Sequence, residues 1–137
     1  MRALALDYGA ARCGCAVSDP TGTLATPLDP VERPATRAGL AAIAGLVDEL
    51  GAEVVILGLP VSLSGADSAQ TGEVRRFAEA LRARLGDGTP VELLDERFTT
   101  QMAQAVGGSS SEDSRAAAIL LEDWLGRQGS PSTGGPQ

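Results

Sequence analysis

Five stretches of the chain have the pattern of β-strands. Two of them, RALALD at 2–7 and EVVILGLP at 53–60, carry nearly continuous apolar runs, which are typical of strands covered on both faces. CGCAVSD at 13–19 and TLATPL at 23–28 follow the first strand after tight turns and predict an antiparallel meander. The fifth strand is predicted at PVELLDER, residues 90–97.

Apolar residues recur at helical spacing after the meander. The first such segment has Pro34 in its first turn and Gly51 at its end, as helix boundaries favour. Beyond residue 126 no apolar residue can anchor the chain, so we expect one domain at 1–126 and a disordered tail at 127–137. The predicted helices are 34–51, 74–86, 99–106 and 112–125.

The resulting order, β-β-β-α-β-α-β-α-α, predicts an α/β fold with a mixed five-stranded sheet and helices on both faces. Strands one, four and five are expected to run in the same direction. Their carboxyl ends then meet at one edge of the sheet, which is where ligands collect in open α/β sheets.

Acidic residues stand at three places along this predicted edge. Asp7 ends the first strand, Asp95 and Glu96 end the fifth, and Asp113 opens the last helix. Carboxylates that converge without a counter-charge repel one another, and a divalent cation removes that cost. Oxygen ligands suit Mg²⁺ or Mn²⁺, and a pair of such ions supports phosphodiester hydrolysis.

Each acid also has a purely structural interpretation. Asp7 could start a turn, because Asp-Tyr-Gly is turn chemistry. Asp95, Glu96 and Arg97 could form a solvated ion-pair cluster, and Asp113 could complement the helix dipole. The metal-site hypothesis therefore depends on all three places coinciding in space.

Polar residues near the same edge are candidates for holding a phosphorylated substrate. An arginine after the first turn can position a phosphate, and threonines capping the short helix would aim its amides at the edge. The small, hydroxyl-rich loop SLSGADS can approach a sugar–phosphate backbone, although its composition is equally typical of a plain connector. The predicted substrate contacts are Arg12, Ser64, Arg97, Thr99 and Thr100.

Composition narrows the chemistry further. The chain has no histidine, so histidine bases, histidine–zinc sites and Ser–His–Asp triads are excluded. The net charge of −7 argues against indiscriminate nucleic-acid binding, which rests on a broad basic surface. The two cysteines, Cys13 and Cys15, are expected to be small buried hydrophobes in a reducing compartment.

The chain contains no apolar stretch near the ~20 residues of a membrane helix, and its N-terminus lacks the pattern of a signal peptide. We therefore expect a cytoplasmic protein without a membrane partner. Nothing in the pattern decides between a monomer and a homodimer.

Four blocks of the chain resemble the YqgF/RuvX family of RNase H-like proteins, described as Holliday junction resolvases and pre-16S rRNA processing nucleases. The blocks are ALDYGAARCGCAVSD, VILGLPVSLSGADSAQ, LLDERFTTQMA and EDSRAAAILLEDWL, and together they extend from residue 3 to about 125. The chain departs from the family at Leu63-Ser64-Gly65, where Met-Asp-Gly is common, and in its short GGSSSE segment.

This resemblance implies an RNase H-like fold and assigns roles to the acids. Asp7 resembles the first-strand catalytic acid, Glu96 the second acid with Asp95 as its neighbour, and Asp113 the acid of the final helix. It also implies Mg²⁺- or Mn²⁺-dependent cleavage of structured RNA or branched DNA, with pre-ribosomal particles as a candidate partner.

Two other functions remain open at this point. A non-catalytic RNA-binding factor in ribosome assembly or transcription could keep the same fold, and the acidic charge favours it. An ATPase related to the sugar kinases is disfavoured, because those enzymes close two domains over ATP and this chain also lacks a P-loop lysine.

Overall fold

The computed structural model describes residues 2–60, 69–95 and 112–129. Within them lie five strands and three α-helices, with a 3₁₀ turn at Gly86–Gly88. The strands are β1 (Ala3–Asp7), β2 (Arg12–Ser18), β3 (Ala25–Glu32), β4 (Val54–Leu59) and β5 (Val91–Asp95). The helices are α1 (Arg37–Leu50), α2 (Ala69–Leu85) and α3 (Glu112–Gly129).

The strands form one mixed sheet in the order β3-β2-β1-β4-β5. The three strands β1, β4 and β5 are parallel, with Leu57 paired to Leu6 on one side and to Leu93 on the other. The hairpin partners β1–β2 and β2–β3 are antiparallel. Both the meander and the parallel crossovers predicted from the sequence are confirmed.

Helices cover both faces of the sheet, as predicted. On one face, called here the α1/α2 face, Leu4 and Leu6 pack with residues of α1 and α2 such as Ile43 and Phe77. On the other, the α3 face, Ala3 and Ala5 pack against α3. Cys13 and Cys15 are fully buried on the α1/α2 face and are not disulfide-bonded, which matches their expected place in the core.

The third strand differs from its prediction. It was expected at 23–28 but runs from Ala25 to Glu32 and includes Pro27 and Pro30. Proline cannot donate to a strand ladder and is confined to edge strands, strand starts and bulges. Because β3 is the outermost strand beside β2, it can accommodate both residues.

The helix boundaries also differ from the predicted ones. The first helix begins at Arg37, not near Pro34, because Thr36 is its N-cap and accepts a bond from the Gly39 amide at 3.0 Å. The second begins at Ala69, five residues before its predicted start at 74. The last continues to Gly129, past the predicted end of the folded part.

The short helix predicted at 99–106 lies outside the described residues. Residues 130–137 of the predicted tail lie outside them as well. None of the helices within the described ranges combines the length and apolar character needed to cross a bilayer.

The connection from β3 to α1 passes very close to the first turn of α1. A Cβ atom added at Gly39 would lie 2.2 Å from the Arg33 carbonyl oxygen and 2.6 Å from the Pro34 Cα. At Gly45, on the exposed side of the same helix, an added Cβ would meet nothing within 4 Å. An alanine substitution at Gly39 therefore tests the close packing, and one at Gly45 tests the backbone entropy alone.

We expect Gly39→Ala to lower the free energy of unfolding by about 1–3 kcal/mol, because the backbone must move to admit the methyl group. Gly45→Ala should raise it by roughly 0.5–1 kcal/mol through the lower entropy of the unfolded chain. Urea unfolding followed by fluorescence of Trp124, the single tryptophan, measures both. A shift of the same sign in the two variants would contradict this account of the connection.

Candidate active site

Asp7 is the last residue of β1 and lies at the carboxyl edge of the parallel strands. Its backbone pairs with Gly14 of β2, and it is partly exposed. Side chains alternate along a strand, so Asp7 shares the α3 face with Ala3 and Ala5. The acid that interrupts the apolar run is thus accessible at the edge.

The turn after Asp7 is tight because it contains Gly9. A Cβ atom added there would lie 2.6 Å from the Arg12 carbonyl oxygen. The turn brings Arg12 back to the same edge, two residues from Gly14 and therefore on the same face as Asp7. Arg12 is exposed and stands directly opposite Glu32 of β3.

Tyr8 connects the end of β1 to α2 on the opposite face. Its ring centroid lies 4.6 Å from that of Phe77, and its hydroxyl donates a hydrogen bond to the Glu73 carboxylate at 2.9 Å. Burial and this bond to Glu73 raise the pKa of Tyr8 to about 12. The sequence did not predict this contact: Glu73 and Phe77 share one face of α2, but nothing local shows that Tyr8 meets that face.

A buried hydroxyl fixes the first turn of α2. The Thr71 hydroxyl donates to the carbonyl of Pro60, directly after β4, and Thr71 is completely buried. The start of α2 is therefore tied to the same edge of the sheet that carries Asp7.

A second buried hydroxyl fixes the first turn of α3. The β2–β3 register shifts between Cys13 and Cys15, where β3 has an extra residue. The Ser114 hydroxyl occupies this irregularity: it accepts from the Cys15 amide at 3.3 Å and donates to the Leu28 carbonyl. Ser114 stands between Asp113 and Arg115 in the sequence, and this pattern does not predict that its hydroxyl anchors the helix to the sheet.

The Ser114 bond also locates Asp113. Cys15 adjoins Gly14, the partner of Asp7, so the first turn of α3 begins at the Asp7 end of the sheet. Asp113 immediately precedes Ser114 in that turn. The backbone thus brings the predicted last-helix acid to the end of the molecule where Asp7 lies.

Asp95 shares the edge with Asp7 but not its face. It pairs with Leu59 at the end of β5, two strands from β1, which corresponds to about 10 Å at the usual strand spacing. Alternation along β5 places Leu94 on the α3 face and Asp95 with Leu93 on the α1/α2 face. The other predicted site residues lie outside the described part: Ser64, Glu96, Arg97, Thr99 and Thr100.

The donor types available at this end suit a hard divalent cation. Asp7 lies at this end, Asp113 stands in the first turn of α3 and the chain contains no histidine; carboxylate oxygens suit Mg²⁺ or Mn²⁺ better than a softer metal. Within the described residues no three acidic or cysteine side chains lie close enough together to hold an ion. The remaining predicted acid, Glu96, directly follows β5 and lies outside the described residues.

Comparison with known proteins gives matches along nearly the whole chain. The family model described as RuvX, Holliday junction resolvase, matches residues 1–127. A relative from Leifsonia xyli, named for pre-16S rRNA nuclease activity, is 39% identical over 119 residues, 87% of this chain and 76% of its own. A relative of the same name from Mycobacterium tuberculosis is 41% identical over 133 residues, 90% of this chain and 78% of its own.

Among solved structures, RuvC from Thermus thermophilus has the same fold. It superposes with a TM-score of 0.62 at 15% identity and covers 95% of this chain and 97% of its own. The complex of T. thermophilus RuvC with a Holliday junction substrate gives the same TM-score over 93% and 95% of the two chains. The RNase H-like architecture expected from the sequence is confirmed.

The ionisation of Tyr8 can be followed without interference, since the chain has one tyrosine. We expect a tyrosinate absorbance midpoint near pH 12 in the folded protein and near pH 10 in urea. Because the pKa is raised on folding, the stability that the neutral phenol contributes is complete below pH 10 and is lost as the pH rises towards 12. A folded-state midpoint at about pH 10 would disprove the Tyr8–Glu73 contact.

Ser114→Ala should lower the free energy of unfolding by about 1–3 kcal/mol, because a buried amide and a buried carbonyl lose their partner together. Hydrogen exchange at the Cys15 amide should accelerate in the same variant. Thr26→Ala removes an exposed hydroxyl from β3 and is the control, with an expected change within about 0.5 kcal/mol. Unchanged protection of Cys15 would show that Ser114 does not anchor α3.

Proposed function

The chain belongs to the RuvX family of Holliday junction resolvases, and on this premise we propose that it is a divalent-metal-dependent endonuclease acting on structured nucleic acid. The observation that carries the proposal is the position of Asp7 at the carboxyl edge, with the first turn of α3 anchored by Ser114 at the same end. This arrangement supports a site built from acids that are distant along the chain.

Processing of pre-16S rRNA at its 5′ end is the activity we favour, because the relatives named for it share about 40% identity with this chain. Resolution of Holliday junctions is the second candidate, supported by the family description and by the fold shared with RuvC. Both reactions hydrolyse a phosphodiester bond in a branched or folded strand. The cytoplasmic location and the pre-ribosomal partner that we expect from the sequence would accompany the processing of pre-16S rRNA.

We assign Asp7, Glu96 and Asp113 as the residues that would hold Mg²⁺ or Mn²⁺. When bound, such ions lower the pKa of water and stabilise the leaving oxygen of the phosphodiester. The chain itself positions the donors: the β1 ladder holds Asp7, and Ser114 holds the turn that carries Asp113. Asp95 is a weaker candidate, because alternation turns it to the other face.

Arg12 is suited to orient the scissile phosphate. It is exposed on the same face as Asp7, and a guanidinium can bind two phosphate oxygens at once. Ser64, Arg97, Thr99 and Thr100 remain predicted substrate contacts in the segments that follow β4 and β5.

A non-catalytic RNA-binding factor is the alternative function. The net charge of −7 and the short GGSSSE segment favour it, since both weaken the grip on a polyanionic substrate. Such a protein would bind structured RNA without cleaving it in the presence of Mn²⁺.

We expect Asp7→Asn, Glu96→Gln and Asp113→Asn each to reduce Mn²⁺-dependent cleavage at least ~100-fold, since each removes a metal ligand worth several kcal/mol of transition-state stabilisation. Asp29→Asn, an exposed acid on β3 with the same change in charge, is the control and should retain full activity. End-labelled precursor 16S rRNA and a labelled four-way DNA junction serve as substrates. Cleavage that survives Asp7→Asn would refute the assignment, whereas tight RNA binding by an inactive wild type would establish the alternative.

A further inference from the structure

Charges are unequally divided between the two ends of the sheet. The site end is the carboxyl edge with Asp7, where α1, α2 and α3 begin, and the far end is the opposite edge, where β1, β4 and β5 begin. Carboxylates outnumber arginines among the described residues at the far end. The far-end carboxylates are Asp19, Asp48, Glu49, Glu53, Glu79, Asp87, Glu92, Glu122 and Asp123.

Most far-end arginines are engaged by the protein itself. Arg2 donates to the carbonyls of Ser18 and Leu50 at 3.0 and 2.9 Å. Arg82 donates to the Val91 carbonyl at 2.8 Å, and Arg127 pairs with Asp123. The far end therefore presents a net negative surface to solvent.

Three exposed arginines cluster at one corner of the site end, and we call this surface the arginine corner: Arg12, Arg33 and Arg37. Arg12 begins β2, Arg33 follows the last residue of β3, and Arg37 begins α1. The Arg33 amide donates to the Ala11 carbonyl at 2.9 Å, so the corner is joined to the turn between Asp7 and Arg12.

The corner is held firmly in shape. The Thr36 hydroxyl donates to the Arg33 carbonyl at 2.7 Å while accepting from the Gly39 amide. The missing Cβ of Gly39 lets α1 approach that same carbonyl. The guanidinium groups thus extend from a backbone that is fixed relative to β2.

Local stability does not explain why arginines occupy these positions. Arg33 has a φ of 43°, in the left-handed region that side chains other than glycine rarely adopt. Arg37 stands in the first turn of α1, where the helix dipole disfavours a cation and no acidic residue compensates. Among the described residues neither Arg33 nor Arg37 forms an ion pair, and both are exposed.

We propose that the arginine corner binds the phosphate backbone of the nucleic-acid substrate as the strand leaves the Asp7 site across the ends of β2 and β3. This inference rests on the proposed function and adds to it the path that the nucleic-acid strand takes across the protein. Two strand spacings separate β1 from β3, about 10 Å, which corresponds to roughly three base-pair steps along a duplex axis at ~3.4 Å each. The negative far end repels the same polyanion and orients it towards the corner.

The test measures the affinity of the full chain for a fluorescent four-way DNA junction and for a structured RNA in EDTA over a series of salt concentrations. Each arginine that contacts a phosphate contributes about 0.7–0.9 to the slope of log K against log salt. We expect Arg33→Gln and Arg37→Gln each to make the slope less steep by that amount. The double variant should make it less steep by about 1.4–1.8. Arg84→Gln, an exposed far-end arginine with the same change in charge, should leave the slope unchanged.

Lysine variants at the two positions separate charge from folding, because Arg33→Lys and Arg37→Lys should keep the wild-type slope. A double glutamine variant that binds like Arg84→Gln would overturn the proposal. A loss confined to one of the two probes would also overturn it, since phosphate is common to RNA and DNA. If the wild-type protein and the variants show the expected slopes but the wild type never cleaves with Mn²⁺, the nuclease assignment is refuted. The proposal that the arginine corner binds phosphate is then still supported.

Discussion

The position of α3 depends on one buried hydroxyl group. The register of β2 and β3 shifts between Cys13 and Cys15, beside the Cys15 amide and the Leu28 carbonyl. Ser114 bonds both groups, and leaving a buried polar group without a partner costs about 1–3 kcal/mol. The helix therefore cannot slide along the sheet without losing both bonds, and its first turn stays at the Asp7 end.

Hydrogen bonds from side-chain hydroxyls also fix the start of α2 on the other face of the sheet. Thr71 ties the start of α2 to the end of β4, and Tyr8 ties the end of β1 to Glu73 and Phe77. Asp7 thus stands between two helix starts that are each fixed by hydrogen bonds. This construction also reconciles a net charge of −7 with a polyanionic substrate, because most of the described acids lie at the opposite end of the sheet.

Much of the fold and part of the site could be predicted because they follow from local patterns. The apolar runs of β1 and β4 and the helical spacing between strands determine the parallel crossovers, and these place Asp7 and Asp95 at one edge. The prediction was wrong for the end of β3 and the start of α1. Pro30 is acceptable only because β3 is an edge strand, and Thr36 could be recognised as the cap only once the path before α1 was known.

The sequence alone determined the family, the order of strands and helices along the chain and the common direction of β1, β4 and β5, because these depend on the chemistry and spacing of neighbouring residues. Tertiary structure decided which faces Asp7 and Asp95 occupy, which hydroxyls anchor the helices and where the exposed arginines lie. Ser114 and Leu28 are 86 positions apart and Tyr8 and Glu73 are 65 apart, so no local pattern can record that they meet. Such contacts arise only when the packed sheet closes the distance, since buried polar groups must find partners wherever the fold places them.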